Sequence, residues 1–213
     1  MQEKEIYFDL LIKQAQKALT DHFFEVVVHE NKAQALDFLV RMIGKDSVIG
    51  FGGSKTLTQI GFFDHFTKQK YGNFLDRNDP SLTPEQKHDL QIKALSSDFF
   101  LCSANSISTD GKLVLIDKWG NRNAAATFGP KKRIFIAGAN KIAADIDGAL
   151  YLAKNRAAVL NNIRFDTKNP CTIKGTCRDC SGSNRLCSVT TIIERSMPQG
   201  SALVILIKED LGF

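Results

Sequence analysis

Residues 97–123 read SDFFLCSANSISTDGKLVLIDKWGNRN, and the fold is decided there. Phe99 to Cys102 has the length and composition of a buried strand. It opens into a polar loop, Ser103 to Gly111. A second apolar run, Leu113 to Ile116, follows, and then a dense polar turn from Asp117 to Asn123. Ligands of α/β proteins sit in the crevice beyond the carboxyl ends of the strands. Two apolar runs that each deliver hydroxyls, amides and carboxylates to a strand end fit that arrangement. Polar groups left buried without partners would be costly, so the block predicts the floor of a functional site.

Outward from this block, helices and strands alternate. Residues 3 to 20 carry apolar side chains at helical spacing, and Phe23 to Val28 reads as a strand. Asn31 to Gln34 resembles a capping box that opens a helix stopping near Gly44. Ser47 to Phe51 is a short buried strand, and an apolar helix covers Leu57 to Phe63. Tyr71 to Leu75 is a strand or loop. Thr83-Pro84-Glu85-Gln86 starts a helix, with Pro at its first position. Beyond the central block come a short helix, Ala124 to Phe128, a strand, Arg133 to Ala137, and a polar strand end, Gly138 to Lys141. A helix over Asp145 to Leu160 and a last strand, Ala202 to Ile207, complete the pattern. The expected fold is α/β: one domain over 1–213, a mostly parallel sheet with helices on both faces. Residues 161–200, poor in large apolar side chains, form a cysteine-containing insertion before the final strand.

Composition narrows the function classes. The chain has 213 residues, 43% hydrophobic and 24% charged, which is ordinary for a globular domain. A net charge of +5 is mild, and its lysines and arginines are scattered, which disfavours nucleic acid. No apolar run approaches the roughly 18 residues of a membrane span, and MQEKEIYFDL has no signal-peptide pattern. A cytoplasmic location without a membrane partner is expected, with self-association left open.

Three sets of residues carry candidate chemistry. Gly52-Gly53-Ser54-Lys55-Thr56 lies between a strand and a helix, the arrangement that turns backbone N–H groups toward an anion. It lacks the spacing of a Walker loop or a dinucleotide fingerprint, and a tight turn needing glycine is the competing reading. Asp117 and Asp110 are the acid–base candidates, with Asn105, Asn121 and Arg122 as polar partners. Arg122 is the natural bidentate partner of a small carboxylate. Against catalysis, Asp110-Gly111 is a common turn pair, and Asp117 is able simply to cap a turn. Cys171, Cys177, Cys180 and Cys187 form the third set, spaced x5, x2 and x6. In a reducing compartment such a cluster points to metal before disulfides, either structural zinc or an iron–sulfur cluster. Cys102 stands apart and reads as packing. The four histidines show no ligand spacing.

Several stretches together resemble the lactate-utilization (LUD) domain family, and within it the lactate-utilization protein C group. They are VIGFGGSKTLTQIG (48–61), SISTDGKLVLIDKWGNRNAAATFGPKK (106–132), IAGANKI (136–142) and NPCTIKGTCRDCSGSNRLC (169–187). The resemblance implies the fold shared by glucosamine-6-phosphate deaminase, ribose-5-phosphate isomerase and the coenzyme A transferases. It implies a role in oxidising L-lactate to pyruvate beside iron–sulfur or flavin oxidoreductase subunits, with a small carboxylate or phosphate as ligand. A coenzyme A transferase would place a glutamate at a strand end, and no Glu occurs between Glu85 and Glu194. Two alternatives remain: a non-catalytic binding or assembly module, and a small sugar-phosphate or carboxylate-binding enzyme of the isomerase-like superfamily.

Overall fold

A computed structural model describes residues 2–213. The first half runs α1 (Gln2–Asp21), β1 (Glu25–His29), α2 (Lys32–Met42), β2 (Ile49–Phe51), α3 (Lys55–Gln59), α4 (Phe62–His65) and α5 (Pro84–Lys93). The centre holds β3 (Phe99–Cys102), β4 (Ser106–Ser108), β5 (Leu113–Asp117), α6 (Asn121–Thr127), β6 (Lys132–Gly138) and β7 (Ile142–Ala143). The chain then forms α7 (Ile146–Leu152), α8 (Ala158–Arg164), α9 (Pro170–Lys174), β8 (Val189–Ile193) and β9 (Ala202–Ile207).

Five strands form one parallel sheet in the order β1-β9-β6-β3-β2. Strands β2, β3, β6 and β9 read as apolar runs because both faces are buried, while β1 at the edge is partly exposed. Leu203, Ile205 and Ile207 of β9 face α2, α3 and α4 together with Ile134, Ile136 and Leu101. Val204 and Leu206 point the other way with Phe135, Ala137 and Phe100, against α1 and α6. Phe135 is fully buried, so its truncation to Ala would cost on the order of 3–5 kcal/mol.

A second sheet, β7-β4-β5-β8, was not foreseen. Leu113 and Leu115 of β5 join the layer against α1, while Val114 and Ile116 pack on Ala149, Ala153 and Ala158 of the last long helix. The loop expected over Ser103 to Gly111 thus contains β4, and the segment 161–200 contains β8, antiparallel to β5 from Leu113↔Ile193 to Asp117↔Val189. The helix expected over Leu57 to Phe63 is broken by Gly61, whose φ of 79° separates α3 from α4. The helix beginning at Ile146 runs on to Arg164 through a π-helical turn, Ala153–Ala157. Tyr71 to Leu75 is a loop tied by a single bridge, Ile49↔Phe74.

Both expected caps form. Thr83 and Gln86 exchange bonds of 3.2 and 2.9 Å in a full capping box. Asn31 accepts the Gln34 N–H at 3.0 Å, but Gln34 reaches back one residue further, to the Glu30 N–H. Among the described residues no helix is long and apolar enough to cross a membrane.

Candidate anion-binding cleft

The carboxyl ends of β2, β3 and β6 lie side by side, and the chain leaves them as Gly52-Gly53, Ser103-Ala104 and Ala139-Asn140-Lys141. The end of β5, arriving from the second sheet, adds Asp117. Between them is a cleft of about 300 Å3. Of the residues expected at the site, Gly53, Ser54, Asn105, Asp117, Asn121 and Arg122 all line it.

Arg122 is the hub. Its guanidinium donates to Ser103 O at 3.3 Å, to Asn105 Oδ1 at 3.0 Å and to Ile116 O. Its backbone N–H donates to Asp117 Oδ2 at 2.9 Å. The guanidinium's acceptors, two backbone carbonyls and one amide oxygen, are neutral, so it is held in place without an ion pair. The aliphatic stem lies against Gly52, where an added Cβ would sit 2.6 Å from Cγ and Cδ. Gly52 is therefore glycine for space. Gly53 lies against a second arginine, but a Cβ there would meet only the far end of that side chain, Arg77 Nη2 at 2.9 Å.

Three further cations surround Arg122 in the cleft wall: Arg77, Lys141 and Arg164. Burial, and then the Arg122 charge, lowers the pKa of both Lys141 and Arg164. For Arg77 burial comes first, Asp117 opposes it, and Arg122 again lowers it. Lys141 is buried, donates to Ser103 Oγ at 2.8 Å and to Ala104 O at 3.1 Å, and is brought down to about 7. The buried Nε of Arg77 has no hydrogen-bond partner. With Lys55 and Lys118 at the rim, six cationic side chains line the cleft and Asp117 is its single carboxylate side chain. Such a surface costs repulsion and desolvation that a bound anion relieves.

Other expected residues fall elsewhere. Asp110 is an exposed turn residue paired with Lys112 at 2.8 Å, outside the cleft, because the β4–β5 turn leans on α1. Thr56 is buried beneath the wall, bonded to Ser103 Oγ at 3.3 Å. Ser54 caps α3 by accepting the Leu57 N–H at 3.1 Å, which engages the hydroxyl expected to meet a ligand. Cys102 is buried in the sheet and desolvation pushes its thiol up to about 12, so it stays protonated. No histidine lines the cleft. Arg77, Lys141 and Arg164 went unrecognised in the sequence; only the polar strand end Gly138 to Lys141 hinted at one of them.

The four clustered cysteines are free thiols around a separate small cavity. Burial pushes the Cys171 thiol up, and Cys187, Cys180 and Cys177 add to the rise.

A model of the LUD domain family matches residues 12–207. The fold is similar to the crystal structure of a DUF162 family protein from Deinococcus radiodurans. The two share 11% identity at a TM-score of 0.51, covering 95% of this chain and 98% of that one. No curated protein matches the sequence.

Proposed function

The chain belongs to the LUD domain family, lactate-utilization-related at the level of the family, and from that premise we propose that its cleft binds a small carboxylate of the lactate and pyruvate class. The observation carrying this reading is the convergence of Arg77, Lys141 and Arg164 on Arg122 with one carboxylate side chain among them. Arg122 and Arg77 hold the ligand carboxylate through charge-assisted hydrogen bonds. Lys141 can take or release a proton near neutral pH, and Asp117, elsewhere in the lining of the same cleft, is the acid–base candidate. Oxidising lactate to pyruvate removes two electrons and two protons. This chain's own residues supply binding, orientation and proton transfer. An oxidoreductase partner with an iron–sulfur or flavin group would supply the electron acceptor.

A second reading rests on the rim. Trp119 is 79% exposed and Phe165 60%, and both line the cleft with Phe213. Lactate has no use for that aromatic surface, whereas a phosphorylated ligand with a larger organic part would cover it.

Calorimetric titration of the purified chain with L-lactate, pyruvate and ribose 5-phosphate separates the two. Saturable heat with either acid, weakened in Arg122→Ala, is expected. Heat with the sugar phosphate alone would favour the second reading, and no heat with any of the three removes both.

A further inference from the structure

We propose that Cys171, Cys177, Cys180 and Cys187 hold one thiolate-ligated metal centre, apart from the anion cleft and independent of what that cleft binds. The four residues come from three places. Cys171 lies in the first turn of α9, opened by Pro170. Cys177 and Cys180 lie in the following loop, and Cys187 just precedes β8. The fold nevertheless brings all four to one small cavity of about 10 Å3, walled by Ala158, Val159 and Asn162 of α8. That volume holds about one water-sized body. All four are free thiols.

Polar bonds fix the frame around them. Asn162, 1% exposed, accepts from Thr167 Oγ1 and Asn169 Nδ2, each at 2.8 Å. Asn169 also donates to Asn184 O at 3.2 Å, closing the loop back on itself. The Cys177 N–H donates to Asn155 Oδ1 at 3.1 Å, and Asn155 lies in the π-helical turn. Such turns occur often at functional sites.

Three observations point from this frame to a metal. The segment has almost no core of its own: Ile173 is 80% exposed, and Cys171 is the one residue of α9 that is buried. Small lobes of this kind take their folding energy from a metal. Positive charge is also in place. Lys154 and Arg178 line the cavity, and Arg185 donates to Cys180 O at 2.6 Å and Cys187 O at 3.1 Å. A zinc ion with four thiolates carries a net charge of −2, which these three cations offset. Finally, the Arg185 Nε is buried with no partner, and a metal-bound sulfur is an acceptor suited to it.

Among the described residues no group of three or more His, Cys, Asp or Glu side chains is placed to hold a metal ion as it stands. The four cysteines line one cavity, and ligation would require their sulfurs to close around the ion. Soft thiolate ligands select zinc or iron with sulfide over hard cations.

The test is metal and acid-labile sulfide analysis of the full chain purified without oxygen, with a visible spectrum and a count of reactive thiols. The proposal expects about one centre per chain: colourless zinc, or iron with matching sulfide and broad visible absorption. Removing it with a chelator should expose four additional thiols. Cys177→Ser with Cys180→Ser should lower metal content at least tenfold, while Cys102→Ser leaves it unchanged. If the double variant does not fold, the wild-type content alone decides. Metal far below one centre per chain, even after incubation with zinc or with iron and sulfide, would overturn the proposal. Disulfides joining the four cysteines in oxygen-free preparations would overturn it equally.

Discussion

Arg77 is the residue whose placement asks most directly for a ligand. A buried donor without an acceptor is a standing cost, and the Arg77 Nε is one. A bound carboxylate provides the acceptor. Hydrogen bonds to charged groups contribute about 1.5–3 kcal/mol, so Arg77→Ala should weaken pyruvate binding roughly tenfold or more while leaving thermal stability nearly unchanged. Parallel calorimetry and thermal melts check both. Lys141 makes the second prediction. Burial first, and then the Arg122 charge, bring it to about 7. An anion favours the charged ammonium. Affinity should therefore rise as pH falls from about 8 to about 6, with a proton taken up on binding. Lys141→Met should flatten that dependence in titrations run at both pH values. Neither residue was legible as functional. Arg77 lies in a loop and Lys141 just past a strand, and a sequence does not show which distant cation will end beside Arg122.

The Gly52-Gly53 turn carries the lesson at the scale of elements. Strand, glycine pair and helix follow in the expected order. An anion cradle of backbone N–H groups was the expectation; α3 has five residues, and its cap already uses Ser54. What the glycines admit is two arginines. The two positions therefore differ in a measurable way. An added Cβ at Gly52 meets the Arg122 stem at 2.6 Å and Cys102 Cβ at 3.2 Å. Gly52→Ala should cost about 1–3 kcal/mol and weaken anion binding with it. At Gly53 the Cβ meets just the mobile tip of Arg77, so Gly53→Ala should stay within about 0.5 kcal/mol. Denaturant melts of the two variants make the comparison. The strand β4 was missed for a related reason: Ser106-Ile107-Ser108 reads as loop. Its hydroxyls are nonetheless buried and bonded, Ser106 Oγ donating to Ala149 O at 2.6 Å.

Across the whole molecule, the parallel sheet was legible because strands buried on both faces must be apolar from end to end. The second sheet was not, since β8 is a largely exposed edge strand with no alternating pattern and β4 is three residues long. Yet it is the second sheet that closes the cleft. β5 carries Asp117 to the rim, α6 follows with Arg122, and the last helix brings Arg164 across from the far side. The cleft is thus a joint between two sheets, with cations contributed by five separate stretches of chain. A crystal structure of the chain soaked in pyruvate tests whether these cations share one ligand. The account predicts a carboxylate bound within the cleft, in hydrogen-bonding contact with Arg77 and Arg122. An empty cleft at saturating pyruvate, or pyruvate bound elsewhere on the surface, would contradict it.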